Sequence, residues 1–204
     1  MFERSGFEGA SLGDIVTGAG TTKGALYFHF RSKDELARVV IDEQHRASIT
    51  TVQAISETGA SPLRQLVMLS HEMGRQIVED PIVRAGMRLI LEFSGNTSPD
   101  QPFIDWIAGS RTIIESGIAQ GEIAAGIDPQ ALARYLTGSF MGVQLVSQVM
   151  TRRDDLEHRI DEMWQFVLPG VATTRDPGEI ADIRAARWTP TESITATIGS
   201  VAEA

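Results

Sequence analysis

The sequence of 204 residues contains no cysteine. This absence excludes a disulfide scaffold, a zinc finger with thiolate ligands and a cysteine nucleophile. The sequence also lacks any apolar run that approaches the roughly 20 residues needed to span a bilayer. Its first residues do not show the basic segment followed by an apolar segment that marks a secretory signal. We therefore expect a cytoplasmic protein with no membrane partner.

Basic charge is scarce, since 18 lysines and arginines face 27 acidic residues and the formal net charge is −9. This balance excludes a surface that is basic overall. The charge is unevenly distributed along the chain, however. Residues 1–46 carry six basic and seven acidic side chains, whereas residues 47–204 carry 12 basic and 20 acidic side chains. The two lysines, Lys23 and Lys33, both lie in the first region. A small DNA-binding patch on an acidic body therefore agrees with the composition.

The common catalytic signatures are absent, among them the P-loop, G-x-G-x-x-G, H-E-x-x-H and G-x-S-x-G. The sequence predicts no enzyme, no catalytic residue, no metal site and no cofactor. A di-iron helical bundle would need two Glu-x-x-His motifs and two further inward-facing glutamates. We therefore expect the remaining pairs of histidine with an acidic residue to be solvated helix faces, namely His71-Glu72, Asp42 with His45, and Asp155 with His158.

Apolar residues recur at helical spacing along the whole chain, and no stretch alternates long enough to indicate a strand. The sequence predicts an all-α protein. Ser11, either Thr21 or Thr22, and Ser32 are expected to cap the first helices. The residues around 130–150 are apolar on nearly all sides, which is typical of a helix buried on two faces. We predict three regions: residues 1–46, residues 47–170, and a largely disordered tail at 171–204 with at most one short helix near 180–187.

Two short predicted helices, residues 12–18 and 22–29, are joined by a tight turn at Ala19-Gly20. This spacing is typical of a helix-turn-helix, whose second helix enters the major groove. Thr22 and Lys23 suit phosphate oxygens, and small residues at Gly24 and Ala25 allow close approach to base edges and a thymine methyl. Two further side chains can reach phosphates, Tyr27 and His29. On spacing alone, a helical hairpin without function stays open.

The long helix after Ser32 contains one polar residue on its inward face. Gln44 follows Val40 by four residues, so both lie on the same side. A buried amide without a hydrogen-bond partner costs about 1–3 kcal/mol. A ligand carbonyl or hydroxyl could supply the partner, and so could a neighbouring helix or water.

Residues 5–36 closely resemble the DNA-binding domain of the TetR family of repressors, through the string K-G-x-L-Y-x-H-F (Lys23 to Phe30) followed by x-S-K-x-x-L. The stretch from Gly121 to Ala133 resembles a later family helix. The sequence Phe103-Ile104-Asp105-Trp106 is similar to the γ-butyrolactone receptor branch of this family. The resemblance implies a helix-turn-helix DNA-binding domain followed by a helical ligand-binding and dimerisation domain.

The resemblance also implies roles for individual residues. Lys23, Gly24, Tyr27 and His29 would contact DNA, and Lys33 would hold a phosphate. Trp106 would line the ligand cavity and pack on a lactone ring, and Gln44 falls on a pocket position. Val143 stands where the branch often has a threonine, so a polar ligand contact would be lost there.

One departure concerns the first family helix, because Met1-Phe2 matches its end. We expect most of that helix to be missing from this sequence, which would expose the apolar surface of Leu12, Ile15 and Phe28.

These observations predict a homodimeric transcriptional repressor that binds operator DNA and is released by a small apolar effector such as a γ-butyrolactone. Residues 130–150 and 154–168 would pair with their copies in a four-helix interface. Two alternatives stay open. One is a TetR-type regulator of efflux or lipid metabolism with another ligand. The other is a helical small-molecule-binding protein that has lost DNA binding.

Overall fold

The computed structural model describes residues 1–92 and 100–190. Within these ranges the chain forms ten α-helices and no strand, which confirms the all-α fold. The helices are α1 (Phe2–Gly9), α2 (Leu12–Gly18), α3 (Lys23–His29), α4 (Lys33–Ser56), α5 (Pro62–Glu79), α6 (Pro81–Glu92), α7 (Gln101–Ala119), α8 (Pro129–Thr151), α9 (Leu156–Val171) and α10 (Pro177–Arg184).

The first helices begin where the sequence predicts them. Ser11 Oγ accepts a hydrogen bond from the Asp14 backbone N–H at 3.1 Å, and Ser32 Oγ accepts one from Glu35 N–H at 3.1 Å. Thr22 Oγ1 caps α3 in the same way, 3.2 Å from Ala25 N. Each cap satisfies a backbone donor that has no partner inside its own helix.

A small core holds the N-terminal helices on the body. α1 and α4 both pack against α6, and Phe2, Ile41 and Leu89 are buried there. Gly86 of α6 permits this close packing, since a Cβ at that position would lie 2.5 Å from Gln44 Cβ. The predicted boundary between residues 46 and 47 falls inside α4, so one continuous helix connects the two regions.

The exposure expected near the N-terminus is found in part. Phe28 is 85% exposed, whereas Ile15 and Leu12 are half-buried. Ile15 packs against the core of α1, α4 and α6. That contact covers apolar surface which the sequence suggested would be open.

A larger core occupies the space between α5, α7, α8 and α9. Its largest buried side chain is Trp164, which is 1% exposed. α8 packs on α7 and α9 with one face, and its opposite face presents Tyr135, Val146 and Val149 to solvent within this single chain. Phe166 of α9 is also exposed, at 81%. The two faces explain why α8 is apolar nearly all round.

The short helix expected near residues 180–187 corresponds to α10, and residues 171–190 have more ordered contacts than a largely disordered tail would have. α9 continues through Pro169 to Val171, and α10 packs against α9 and α5. Ile183 is buried, and Arg187 Nε lies 2.9 Å from Glu157 Oε1. Periodicity did not reveal this segment, because it is held by a few apolar contacts and ion pairs to distant helices. Residues 191–204 of the predicted tail lie outside the described residues.

The His71-Glu72 pair is buried, although the sequence suggested a solvated helix face. His71 is 3% exposed, and Glu72 is equally inaccessible. Arg75 binds the Glu72 carboxylate through Nε at 2.8 Å and through its terminal nitrogen at 2.6 Å. Gln76 Nε2 donates to the same carboxylate at 2.9 Å. The buried charge is therefore paired, as a carboxylate removed from water must be.

We expect the stability of the protein to fall as the pH drops below about 6.5, the ordinary pKa of histidine. Burial lowers the pKa of His71, even though Glu157 Oε1 lies 3.0 Å from its Nδ1 and opposes the shift. The unfolded chain then takes up a proton more readily than the folded one, so this contribution is complete above pH 6.5 and is lost as the pH falls toward the folded pKa. The slope from one group is at most about 1.4 kcal/mol per pH unit.

Urea unfolding between pH 5 and pH 8 tests this expectation. The His71→Gln variant should lose most of the slope between pH 5 and pH 6.5. His158, whose side chain is 73% exposed, offers the matched control His158→Gln, which should keep it. An unchanged slope in His71→Gln would show that other groups cause the acid sensitivity.

Candidate DNA-binding helix and ligand cavity

The face of α3 predicted to meet DNA is open to solvent. Thr22, Lys23, Gly24, Ala25, Tyr27 and His29 are all exposed. Leu26, on the opposite side, is buried and anchors the helix. Thr22 uses an oxygen lone pair for capping, which leaves its O–H able to donate to a phosphate. All six residues are thus accessible in the structure, and their DNA contacts stay a prediction.

Phe28, whose exposure was expected from the sequence, is also open to solvent on α3. Its ring meets the His29 ring edge to face, with centroids 5.2 Å apart. Phe28 precedes His29 and follows Tyr27, so three rings project from the last turn of α3. The apolar spacing of Leu26 and Phe30 leaves residue 28 off the buried side, and this was the signal that could have identified it.

The resemblance implies that Lys33 holds a phosphate. In the structure its ammonium group is already engaged within the protein. Its ammonium donates to the Phe7 backbone oxygen at 2.8 Å and lies 4.4 Å from the centroid of the Phe7 ring. The Phe7 carbonyl can accept because Gly6, with φ of 69°, interrupts the helical geometry of α1. Lys33 thus fastens the start of α4 to α1.

A cavity of about 130 Å³ lies between α4, α5, α6, α7, α8 and α9. Its wall is mostly apolar, with the two indoles of Trp106 and Trp164 on different helices. The residues that line it include Ile49, Val52, Leu66, Leu69, Met73, Met87, Leu136, Phe140 and Met141, together with the polar Ser48, Ser70, Asp105, Ser110 and Thr137. An apolar cavity of roughly 150 Å³ can hold a benzene-sized ring. Trp106 therefore lies on a cavity suited to a small apolar group, and its contact with an effector stays a prediction.

Two polar contacts beside the cavity connect α4 to α7. Trp106 Nε1 donates to Ser48 Oγ at 2.9 Å, and His45 Nε2 lies 2.8 Å from Asp105 Oδ2. Ser48 Oγ in turn donates to the His45 carbonyl at 2.7 Å. Sequence analysis missed His45, Ser48 and Asp105 as a group. Their only sequence signal was the adjacency of Asp105 to Trp106 and the three-residue spacing of His45 and Ser48 on α4.

Gln44 and Val143 do not line the cavity in the described part of the chain. Gln44 is 1% exposed, which confirms that it faces inward, but it points toward Gly86 of α6. Neither of its amide atoms has a hydrogen-bond partner among the described residues. Val143 packs half-buried against the larger core, because the α8 residues that line the cavity end at Met141. Their roles as ligand contacts stay predictions.

Among the helices of residues 1–92 and 100–190, none combines the length and the apolar character that a membrane-spanning helix requires.

Two family descriptions match the chain. Residues 1–40 match the family described as bacterial regulatory proteins, tetR family, and residues 60–173 match that described as tetracyclin repressor-like, C-terminal domain.

Individual relatives agree with these matches. The A-factor receptor protein of Streptomyces griseus is 38% identical over 184 residues, which is 90% of this chain and 63% of the relative. The chain thus spans less than two thirds of that relative.

Two solved structures share the architecture. One is a γ-butyrolactone receptor described as ArpA-like, with a TM-score of 0.79 and 30% identity; the match covers 90% of this chain and 88% of the other. The second is CprB from Streptomyces coelicolor in complex with its operator sequence, with a TM-score of 0.72, 30% identity and the same coverage of both chains. The chain belongs to the TetR family of bacterial regulatory proteins.

Proposed function

We propose that this protein is a homodimeric transcriptional repressor of the cytoplasm, which binds operator DNA through α3 and is released by a small apolar effector of the γ-butyrolactone type. It acts by binding, with no catalytic step. The observation that carries the proposal is the position of Trp106: it forms a wall of the apolar cavity and also donates a hydrogen bond to α4. Only three residues separate the end of α3 at His29 from the start of α4 at Lys33, so any movement of α4 would reach the DNA-binding surface.

The relatives support the same chemistry. Of the proteins compared above, one is named as the A-factor receptor and another as a γ-butyrolactone receptor. CprB was solved with its operator, which supports DNA as the partner of α3.

The exposed apolar faces of α8 and α9 support the dimer. Val149 and Phe166 are more than three-quarters exposed in the single chain, and Val146 and Met150 extend the same apolar surface. Such a surface is expensive to leave in water and marks a protein contact. Pairing α8 and α9 with their copies would form the predicted four-helix interface. A two-fold dimer places its α3 helices in successive major grooves, about 34–36 Å apart or a multiple of that distance.

We propose that the effector acts through the contacts between α7 and α4. A lactone ring that enters the cavity beside Trp106 would shift the indole and separate its N–H from Ser48. The neighbouring His45–Asp105 contact would then no longer hold α4 in place. The effector can change DNA affinity only by as much as it prefers the released state, typically about 1–3 kcal/mol per site.

A combined titration tests this function. Tryptophan fluorescence of the protein should respond saturably to an alkyl-substituted γ-butyrolactone, and less to butenolides and furans of matched chain length. The same lactone should release the protein from DNA taken from the region upstream of its own gene, as seen by gel shift. If lactones neither change the fluorescence nor release the DNA, the effector class is wrong. If the protein does not shift any DNA from the flanking genes, DNA binding itself is contradicted.

Lys23→Gln should weaken operator binding at all sequences alike. The ammonium would neutralise one phosphate, so its loss should reduce the slope of log affinity against log salt by about 1. Fluorescence anisotropy on labelled operator at several salt concentrations measures this slope.

Lys33→Gln provides the matched comparison, because it removes the same charge from a side chain bound to Phe7. This variant should lower the unfolding midpoint and leave the salt slope unchanged. A reduced salt slope in Lys33→Gln would show that Lys33 contacts a phosphate, as the family resemblance implies. An unchanged salt slope in Lys23→Gln would show that Lys23 does not contact a DNA phosphate.

A further inference from the structure

A second cleft, of about 890 Å³, lies away from the ligand cavity, where α1, the end of α5, α6 and the junction between α8 and α9 meet. Four arginines converge on it: Arg84 and Arg88 from α6, and Arg152 and Arg153 from the end of α8. This is an unusual concentration of positive charge in a region whose overall balance is strongly acidic. Neither the family matches nor the proposed function assigns a role to it.

The two arginines of α6 are held rigidly. Arg84 Nε lies 2.6 Å from Glu3 Oε1 and its terminal nitrogen donates to the Ile77 carbonyl at 3.3 Å. Arg88 donates to the Glu3 carbonyl at 2.9 Å and pairs with Glu92 at 2.6 Å. These contacts fix two guanidinium groups at one wall of the cleft before any ligand arrives.

The two arginines at the end of α8 are not compensated in this way. Neither side chain has a hydrogen bond or an ion pair to another charged residue within residues 1–92 and 100–190, apart from a weak attraction between Arg153 and Glu3. Arg153 Nε is buried and without a partner in the same ranges. Burial lowers the pKa of Arg153, and the nearby charge of Arg84 lowers it further. Because Arg84 is already paired with Glu3, the uncompensated charge at the cleft belongs to Arg152 and Arg153. A partly desolvated guanidinium such as that of Arg153 is unfavourable unless an anion joins it.

The backbone conformation that places these two side chains at the cleft is energetically unfavourable. Arg152 and Arg153 both have left-handed φ angles, of 56° and 73°. Residues with a Cβ adopt this region rarely, and two in succession are less common still. The turn carries both arginines to the cleft in place of the glycine that usually ends a helix this way.

We propose that this cleft is a binding site for a phosphate-bearing anion, seated between Arg84 on one wall and Arg153 on the other. Planar guanidinium groups bind phosphate oxygens with paired hydrogen bonds, which a chloride ion cannot match. Asp154 and Glu157 also line the cleft; Asp154 is exposed to solvent, and Glu157 is engaged by Arg187 and His71. The phosphate belongs either to a free small molecule or to the backbone of bound DNA, and this second source rests on the proposed function.

Calorimetry and thermal unfolding with inorganic phosphate and pyrophosphate, each compared with chloride at equal ionic strength, test the site. Phosphate should raise the melting temperature by roughly 3–6 °C at a concentration tenfold above its Kd, with a further logarithmic rise at higher concentrations. Phosphate also stabilises proteins through preferential exclusion, so the informative quantity is the difference between variants.

Arg153→Gln should weaken phosphate binding at least tenfold, while its melting temperature in chloride should rise because repulsion with Arg84 is removed. Arg111→Gln removes the same charge from the exposed side of α7 and should bind phosphate like the parent protein. Equal phosphate affinity in the two variants would overturn the proposal, and so would a lack of stabilisation by phosphate beyond that by chloride in the parent protein.

A gel shift at constant ionic strength distinguishes the two sources of phosphate. If the anion is a DNA phosphate, Arg153→Gln weakens DNA binding and free pyrophosphate competes with DNA in the parent protein. If it belongs to a free molecule, Arg153→Gln binds DNA normally and still loses phosphate in calorimetry. Because calorimetry needs no DNA, the site can fail or stand independently of the repressor function.

Discussion

Replacing Trp106 with alanine is expected to raise the effector concentration needed for half-release of operator DNA by about 30-fold or more. Buried tryptophans at binding sites commonly contribute 2 kcal/mol or more, which corresponds to about this factor. The substitution removes one wall of the cavity and the N–H that binds Ser48 at 2.9 Å. The release curve is measured by fluorescence anisotropy on labelled operator with an alkyl-substituted γ-butyrolactone.

Two further variants separate the contributions of the ring and the N–H. Trp106→Phe keeps an aromatic wall but cannot donate to Ser48. It should retain much of the lactone affinity, whereas its affinity for the operator should change when measured in the absence of effector. Trp188 does not line the cavity, and Trp188→Ala is the matched control that should behave like the parent protein. If Trp106→Ala is released at the parent's effector concentration, the cavity beside Trp106 is not the effector site.

Replacing Trp164 with alanine should lower the free energy of unfolding by about 3–5 kcal/mol, as for other large core side chains. Trp164 is 1% exposed and belongs to the larger core, where it also borders the cavity. Its indole N–H has no partner among the described residues, so the loss reflects packing and cavity formation and not a broken hydrogen bond. Folded domains typically have only 5–15 kcal/mol of stability, so the effect should be a large fraction of the total.

Urea unfolding followed by circular dichroism measures the loss, at a fixed protein concentration because a dimer gains stability with concentration. Trp164→Phe retains most of the apolar contact and should cost much less than alanine. A loss below about 1 kcal/mol for Trp164→Ala would show that this site collapses around the substitution, against the dense packing described here.

The helix-turn-helix could be recognised from the sequence because its signals are local. A serine or threonine cap binds an N–H three residues later, and the turn residues Ala19-Gly20 lie between the two helices they join. Such contacts depend on neighbours in the chain, and for that reason α2 and the starts of α3 and α4 agree with the prediction.

The environment of His71 and Glu72 could not be predicted in the same way. Gly74 lies so close to α9 that a Cβ there would be 2.5 Å from the Ile160 side chain. This contact joins residues far apart in the sequence, and it turns the α5 face that carries His71 into the core. The packing of α10 could not be predicted for a related reason, although a short helix near 180–187 was expected, since the buried contact of Ile183 and the ion pairs of Arg184 and Arg187 are with distant helices.

Some of the predicted ligand-site residues depend on local sequence, and others depend on contacts between distant helices. The residues around Trp106 resemble a receptor branch, and its position on the cavity agrees with that resemblance. Whether Gln44 and Val143 share the cavity depends on the rotation of α4 against α6 and of α8 against α7, and here both lie outside it. Lys33 differs for another reason: the interruption of α1 at Gly6 frees the Phe7 carbonyl that now binds it.

The sequence by itself determined the helical class, the capped helix-turn-helix and the family, because periodicity and capping are encoded within a few residues of each other. Only the tertiary structure decided which polar side chains are buried, which residues line the cavity and where four arginines meet. Those properties arise from contacts between helices distant in the chain, of which the close approaches at Gly74 and Gly86 are examples.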